Sequence, residues 1–482
     1  MTLAPAPDGP APAPMRRRAG PHDVRRGERG EAVRLAFGEF LGGAGLVALA
    51  VLAVGGLVHV LDRTRPGPLQ GVRAWLDANA FTTPDTTAAL LQSISATVIT
   101  VASITFSLML VAIQQSASSL TGQVFDQFMR RRSNQFYFGF FVGLGAYALL
   151  QTTTVHQGFN PVLGAALTVA LSVVAVVLLL VLVYAAINQM RPVVIVEAMH
   201  DRLVEARARQ EARIVRRTRP LPRRPAAPCT AVLSDRTGFV LHIDLDRIQR
   251  EIAAVPVPCE VVLDVTIGGY VAYGDRLARL HGVEGAAAQR VGEAVGRAMR
   301  LERQRNIDGV DAVYGLLQLE TVGWTSTSGA QHNPQAARLV VAALRDVLAR
   351  LGVENGPPDD TPDTDIVYAD DFPEVLMDTW ESLAVVTADS QQHQVAADII
   401  DALDSVLTRL APAYRTRAVD VLMRTLPALG SHPPTRRLEV ALERLRDTLE
   451  GLGERGAARA ADAAVASLRS RIGTVEAAYT PR

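Results

Sequence analysis

Four apolar stretches dominate roughly the first 190 residues, at about Leu41 to Leu61, Ala88 to Ile113, Phe136 to Val155 and Pro161 to Ile187, and none of them contains Asp, Glu or Arg. A helix rises 1.5 Å per residue, so about 20 residues cross a hydrocarbon layer of roughly 30 Å. Each stretch is long enough. A helix buried in a soluble protein normally keeps one polar face, whereas these are apolar on every side and call for lipid. The mean hydropathy of +0.16 and the 20% of charged residues agree with a chain of which a large part lies in a membrane.

Arginine sets the expected orientation, because positive flanks are retained on the cytoplasmic side. Arg16, Arg17, Arg18, Arg25, Arg26, Arg29 and Arg34 precede the first span, Arg130, Arg131 and Arg132 lie between the second and third, and Arg191 and Arg202 follow the fourth. On the opposite side Arg63, Arg65 and Arg73 are offset by Asp62, Asp77 and Asp85, and Gln151 to Asn160 has no basic residue. Both termini are expected in the cytoplasm of a multi-pass protein of the bacterial inner membrane. Residues 1–34, rich in Pro, Ala and Arg, read as a disordered tail in which Met1 and Met15 both qualify as the start. Residues 35–192 form the four-span domain.

All 49 basic residues are arginines, since the chain contains no lysine. That excludes a Schiff base to pyridoxal phosphate, a biotinyl or lipoyl attachment and a P-loop lysine. The 49 acidic residues bring the net charge to zero, which argues against a chain built to hold nucleic acid. No cofactor is expected. Cys229 and Cys259 follow the last span, fit no metal-ligand or redox spacing, and are expected as two buried free thiols.

Beyond the spans, residues 193–228 read as a basic juxtamembrane helix and a linker. Arg207, Arg209, Arg213, Arg216, Arg217 and Arg219 are partly neutralised by Glu197, Asp201, Glu205 and Glu211, and three prolines follow between Leu221 and Pro228. Residues 229–282 then alternate with a period of two, at Thr230 to Ser234, Gly238 to Ile243, Glu260 to Ile267 and Arg276 to His281, with a helical interval at Asp244 to Ala254. The glycine-rich turn from Gly268 to Asp275 resembles the turn region of barrel-sandwich domains of the biotinyl and lipoyl kind, without their modified lysine. Residues 283–482 read as an all-α cytosolic domain. Its helices are expected at Gln335 to Leu351, Pro373 to Ala388, Gln391 to Leu410, Tyr414 to Leu429, Thr435 to Leu452 and Ala457 to Ile472, with Asn333-Pro334 as a helix start.

Four segments carry a family resemblance: Ser103-Ile104-Thr105-Phe106-Ser107, Gln114 to Ser119, Phe128-Met129-Arg130-Arg131-Arg132 and Gly139-Phe140-Phe141-Val142-Gly143. The chain resembles an uncharacterised bacterial predicted-membrane-protein family, the domain of unknown function numbered twenty-two fifty-four. The likeness extends through Gly238 to His281 and, more weakly, Asp311 to Leu351. The family's Ser-Pro-x-x-Asn-Asp-Pro pattern here reads Ser328-Gly329-Ala330-Gln331-His332-Asn333-Pro334, which keeps the helix cap and loses a carboxylate. The resemblance implies an architecture and no mechanism.

Within the spans, Ser93, Thr100, Ser107 and Gln114 recur every seven residues and form one polar stripe, widened by Thr97, Ser103 and Ser118. Small hydroxyl residues let membrane helices approach and bond, and packing is the first account of the stripe; pore lining is the second. Gly139 and Gly143 have the small-xxx-small spacing of a close helix crossing, within the chain or between copies. Arg130, Arg131, Arg132, Arg216 and Arg217 are the arginines placed to meet anionic lipid. His59 reads as an interfacial residue, and Trp324 to Gly329 as a turn between helices. The acidic run Asp359, Asp360, Asp363, Asp365, Asp370 and Asp371 lacks a calcium-loop spacing and reads as solvated. No metal site and no catalytic set emerges, so an enzyme is not expected. The reading that follows is a homo-oligomeric, channel-like or conduit protein of the lipid bilayer with a cytosolic regulatory domain. The alternative is a membrane-anchored sensor or scaffold that binds a cytosolic ligand or protein.

Overall fold

The computed structural model describes residues 21–119, 132–189, 191–220, 229–305, 309–328, 333–354, 364–429 and 434–479. The chain divides into two compact units, one holding the spans up to Ala186 and one running from Ile187 onward, to which the helix end from Gln115 also belongs.

The first unit contains α1 (Pro21–Thr64), the short α2 (Gln70–Asn79), α3 (Pro84–Ser119), α4 (Arg132–Thr154) and α5 (Val162–Gln189). Their membrane-length portions are Gly42–Thr64, Pro84–Ile104, Arg132–Thr154 and Val162–Ala185. Residues 21–34 belong to α1, where a disordered tail was expected. Pro21 is a favourable first helical residue, and a segment continuous with a span adds turns without a new nucleation step.

The third span, α4, is the central one. Its Phe140, Phe141, Leu144 and Tyr147 are buried with Val98 of α3 and with Ala175 and Leu182 of α5. Outside that core, Leu46, Leu49 and Leu57 of α1 and Val173, Val176 and Leu180 of α5 are exposed. In water such a surface would be untenable; against lipid tails it costs nothing. The first span crosses α4 on the glycine seam. A Cβ on Gly139 would stand 2.3 Å from the Ala44 carbonyl oxygen, and one on Gly143 would stand 2.8 Å from Ala48 Cα. Gly55 in turn receives the Tyr147 ring, which would lie 2.2 Å from an added Cβ.

The second unit opens with α6 (Pro192–Arg213) and goes on through β1 (Arg219–Pro220), β2 (Cys229–Leu233), β3 (Gly238–Ile243), α7 (Leu245–Ala253), β4 (Glu260–Leu263), β5 (Tyr270–Val271), β6 (Arg276–His281), α8 (Gly285–Ala298) and β7 (Met299–Glu302). After these come α9 (Ala312–Thr327), α10 (Pro334–Glu354), β8 (Ile366–Tyr368), α11 (Phe372–Asp389), α12 (His393–Leu407), α13 (Pro412–Thr425), α14 (Arg436–Gly451) and α15 (Arg455–Tyr479). A five-stranded sheet runs β1-β8-β4-β6-β2, and a three-stranded one runs β5-β3-β7. β8 lies parallel to both β4 and β1, and the remaining pairs are antiparallel.

The β-rich module is therefore not the contiguous 229–282 segment, nor a purely antiparallel barrel-sandwich. It recruits Arg219–Pro220, Met299–Glu302 and Ile366–Tyr368, and the last two strands interrupt the region read as all-α. Strands of three or four residues carry too little periodicity to be seen in sequence, and only the open edge of the central sheet gives Ile366–Tyr368 its ladder partners. The glycine turn keeps its expected chemistry, with φ of +82° at Gly268 and +86° at Gly274, and Asp275 Oδ2 accepting from the Ala272 amide at 2.7 Å.

Two cores fill this unit. Ile243, Ile248, Val261, Leu280, Val291 and Met299 pack between the sheets and α7 and α8. Leu203, Leu316, Leu344, Trp380, Leu403 and Leu442 centre the helical part. Asn333 caps α10, its Oδ1 accepting from the Ala336 amide at 3.3 Å. Trp324 to Thr327 are the last turn of α9 rather than a loop, and Thr327 donates to the Gly323 carbonyl. Cys259 is buried as expected, but Cys229 is exposed at the start of β2.

Because the Gly139 position meets backbone on the neighbouring helix, Gly139→Val must push the first span outward. Overpacking of this kind costs about 1–3 kcal/mol, and a lowered unfolding temperature in detergent, compared with Gly45→Val where no neighbour stands within 4 Å, is the expected outcome.

Candidate functional site

Ser93, Thr100 and Ser107 of the hydroxyl stripe are all exposed, together with Thr97 and Ser103. They do not pack inside their own bundle. That task falls to Ser95, which is buried and donates to the Gly145 carbonyl at 3.2 Å. Four of the stripe hydroxyls bond instead to their own helix: Thr97 to Ser93, Thr100 to Ala96, Ser103 to Ile99 and Ser107 to Ser103, each donating to the carbonyl four residues back at 2.7–3.0 Å. A hydroxyl satisfied in this way can face an apolar medium without an orphaned donor. The side chain of Gln114 lies outside the described residues. Beside the stripe runs a groove of about 330 Å³, lined by Ser93, Thr97, Val101, Phe141, Ser172 and Val176 among others, and its walls are mainly apolar.

At one end of the bundle the sequence hides a polar clasp. The first four amides of a helix have no partner within it, and α5 begins with apolar residues that offer no cap of their own. Asp62, in the last turn of α1, supplies the acceptor. Its side chain is fully buried, with Oδ2 accepting from the Gly164 amide at 2.8 Å and Oδ1 from the Leu163 amide at 3.2 Å. Arg73 of α2 donates to the Asp62 carbonyl at 2.7 Å and to its Oδ1 at 3.3 Å, and reaches the Asn160 carbonyl at 3.4 Å. Asn160 Nδ2 donates in turn to the Phe81 carbonyl at 2.9 Å. Sequence reasoning counted Asp62 only as a charge offsetting nearby arginines. No signal of this role stood in the sequence, because Asn160-Pro161 has the same cap pattern as Asn333-Pro334, and only in the structure does the Asn160 amide turn to the Phe81 carbonyl. His59 stacks edge-on to Phe159 at a centroid distance of 5.5 Å, beside this clasp.

Of the arginines proposed for lipid, Arg130 and Arg131 lie outside the described residues, and Arg132 is exposed at the start of α4. Arg217 pairs with Asp246, and Arg216 stands 3.9 Å from Glu211. The Arg217 guanidinium holds the Asp246 carboxyl below its ordinary range. Two of the arginines thus spend part of their charge within their own unit.

A polar cluster of the second unit joins α6, the turn after β4, the start of α9 and the turn between β8 and α11. Arg207 donates to both oxygens of Asp370, at 2.9 and 2.7 Å, and to Glu211 at 2.9 Å, with its guanidinium 4.5 Å from the centroid of Phe372. Burial works against that charge, but the hydrogen bonds and charge of Asp370, with Glu211, lift the Arg207 pKa above its usual value. A second bidentate pair sits nearby, Arg305 to Asp311 at 2.7 Å for both bonds, and Asp311 also caps α9 through the Tyr314 amide. Gly268 is moulded to this pair: a Cβ there would lie 2.3 Å from Arg305 Nη2, at a φ where a side chain is strained anyway.

Tyr368 is buried beneath the same turn and accepts from the Ile267 amide at 3.1 Å; burial pushes its phenol well above the ordinary range, so it stays protonated. Asp371 Oδ2 accepts from Thr266 Oγ1 at 2.7 Å, while its buried Oδ1 has no hydrogen-bond partner. Burial, followed by the neighbouring Asp370 charge, raises the Asp371 pKa despite the Thr266 bond. Asp370 and Asp371, expected in a solvated acidic run, are built into this junction. Among the described residues no group of three His, Cys, Asp or Glu side chains is placed to hold a metal ion. The arrangement ties α6, α9 and the turns after β4 and β8 together.

Four apolar helices long enough to cross a membrane, followed by a mostly helical region with a small mixed sheet, define a polytopic membrane protein. The chain belongs to the family described as Predicted membrane protein (DUF2254), whose model matches residues 40–413. That range takes in the four spans, both sheets and the junction at Arg207 and Asp370. Among curated proteins and among solved structures, no match was found.

Two substitutions test these sites. Asp62→Ala leaves the Leu163 and Gly164 amides without an acceptor, and an unsatisfied buried polar group costs about 1–3 kcal/mol; a lower unfolding temperature in detergent is expected, with Asp62→Asn intermediate. For Asp371 the folded pKa is raised, so the cost of its buried charge is full at neutral pH and is relieved as pH falls through the folded pKa toward the ordinary carboxylate range. Asp371→Asn is expected to raise the unfolding temperature at pH 7. It should also remove the part of the wild-type gain on acidification that Asp371 contributes, read as the difference between the two proteins across that window.

Proposed function

We propose that this protein works as a homo-oligomeric, channel-like protein of the bacterial inner membrane, with both termini and the second unit in the cytoplasm. The observation that carries the reading is the position of the stripe. Ser93, Thr97, Thr100, Ser103 and Ser107 lie exposed on one face of the second span, while the glycine seam is used within the chain. Another copy meeting that face would bury hydroxyls and line a polar seam between copies. In this reading the second unit acts as a regulatory domain, in which Arg207 of α6 is bonded into the β8–α11 turn.

A second reading draws on the hydroxyl bonds. The hydroxyls of Thr97, Thr100, Ser103 and Ser107 are already donated to their own helix, which leaves them no donor for a passing anion. This favours a membrane-anchored sensor or scaffold, in which the spans are an anchor and the second unit binds a cytosolic ligand or protein.

The two readings part in one set of experiments. In a background with Cys229→Ser and Cys259→Ser, Thr100→Cys is expected to cross-link between copies in native membranes, and the purified protein in liposomes to pass ions. Thr100→Leu should reduce that flux. A monomer in detergent with neither cross-link nor flux rejects the conduit and leaves the scaffold, for which retention of a specific cytosolic ligand or protein by the full chain is the positive outcome.

A further inference from the structure

The short helix α2 lies between the first and second spans, and none of its residues is fully buried. Successive helical residues are set about 100° apart, so Leu69, Arg73 and Leu76 share one side, and Val72 and Trp75 fall on an arc about 90° from it. The first three are half-buried. Val72 and Trp75 are 54% and 63% exposed.

Two attachments fix the roll of this helix. Arg73 is bonded to Asp62 and to the Asn160 carbonyl, and Leu76 packs on the buried cluster of Phe81, Leu91, Val162 and Ala165. The helix cannot turn Val72 and Trp75 inward without breaking both. The same bonds fix its depth. Asp62 lies in the last turn of a span of 23 residues, about 35 Å of helix against a hydrocarbon layer of about 30 Å. Arg73, and α2 with it, is therefore held where tails give way to headgroups.

We infer that α2 is an interfacial helix whose Val72–Trp75 face lies in the headgroup and upper-tail region of the bilayer that the spans cross, with the Trp75 indole as its anchor. Lipid is the occupant that the placement favours, because the face is held at the boundary of that bilayer by direct bonds to a span end. An indole suits this depth: its ring body is apolar, and its N–H can donate to carbonyl oxygens of the lipid ester region. Val72 adds apolar area beside it, while Gln70 and Asp77 lie on the opposite arc.

The test uses the full-length protein in phosphatidylcholine vesicles whose acyl chains carry bromine either near the headgroup or near mid-chain. The chain's three tryptophans are Trp75, Trp324 and Trp380, and the latter two belong to the second unit. Bromine near the headgroup is expected to quench the wild-type emission more than bromine at mid-chain, and Trp75→Phe to remove most of that quenching. Quenching that survives Trp75→Phe unchanged overturns the inference, as does stronger quenching from mid-chain. An absence of quenching in the wild type overturns it too, and with cross-linking through Trp75→Cys would identify a second copy as the occupant.

Discussion

Hydrocarbon offers no hydrogen bond, so every polar group carried into it must find a partner in the chain. The first unit follows from that constraint. Backbone groups are spent along four helices, the hydroxyls of Thr97, Thr100, Ser103 and Ser107 on carbonyls one turn back, and the Leu163 and Gly164 amides of the fourth span on Asp62. With polarity settled locally, side-chain volume decides how the helices sit. Glycines at Gly139 and Gly143 let the first span approach α4 to backbone contact, and Tyr147 fills the hollow at Gly55.

The second unit solves a different problem, since water satisfies exposed polar groups and only burial raises the cost. Charge enters its interior as bidentate pairs, Arg207 with Asp370 and Arg305 with Asp311, each planar fork matched to a carboxylate. Breaking one side of such a pair leaves the other charge buried, which typically costs about 3–5 kcal/mol. The pairs therefore tie α6, α9 and α11 to the turn at Gly268 with some exactness of register. Asp371 is the member whose charge is least compensated, as its raised pKa and unpartnered Oδ1 both record.

These two solutions bear differently on function. The membrane unit turns a polar face outward and holds α2 at its rim. The second unit gathers its polarity inward, at a junction shared by both of its cores.

Much of this was legible in the sequence. The spans were visible because lipid solvation needs long uncharged runs, and α12, α14 and the strands at Gly238–Ile243 and Arg276–His281 were visible because half-buried elements leave a periodic trace. The family could be seen in its segments, and the turn glycines in their spacing. What remained hidden was pairwise. A three-residue strand such as Ile366–Tyr368 has no pattern until β4 and β1 offer it a ladder, and Asp62 looks like a loop charge until the start of α5 is brought beside it. Whether the stripe faced inward or outward was also undetermined, because helical spacing gives a residue its face but not its neighbour. Composition and periodicity record the solvent each residue prefers, and so they determined which parts enter lipid; only folding in three dimensions decides which residue meets which, because that depends on distances between segments far apart in the chain.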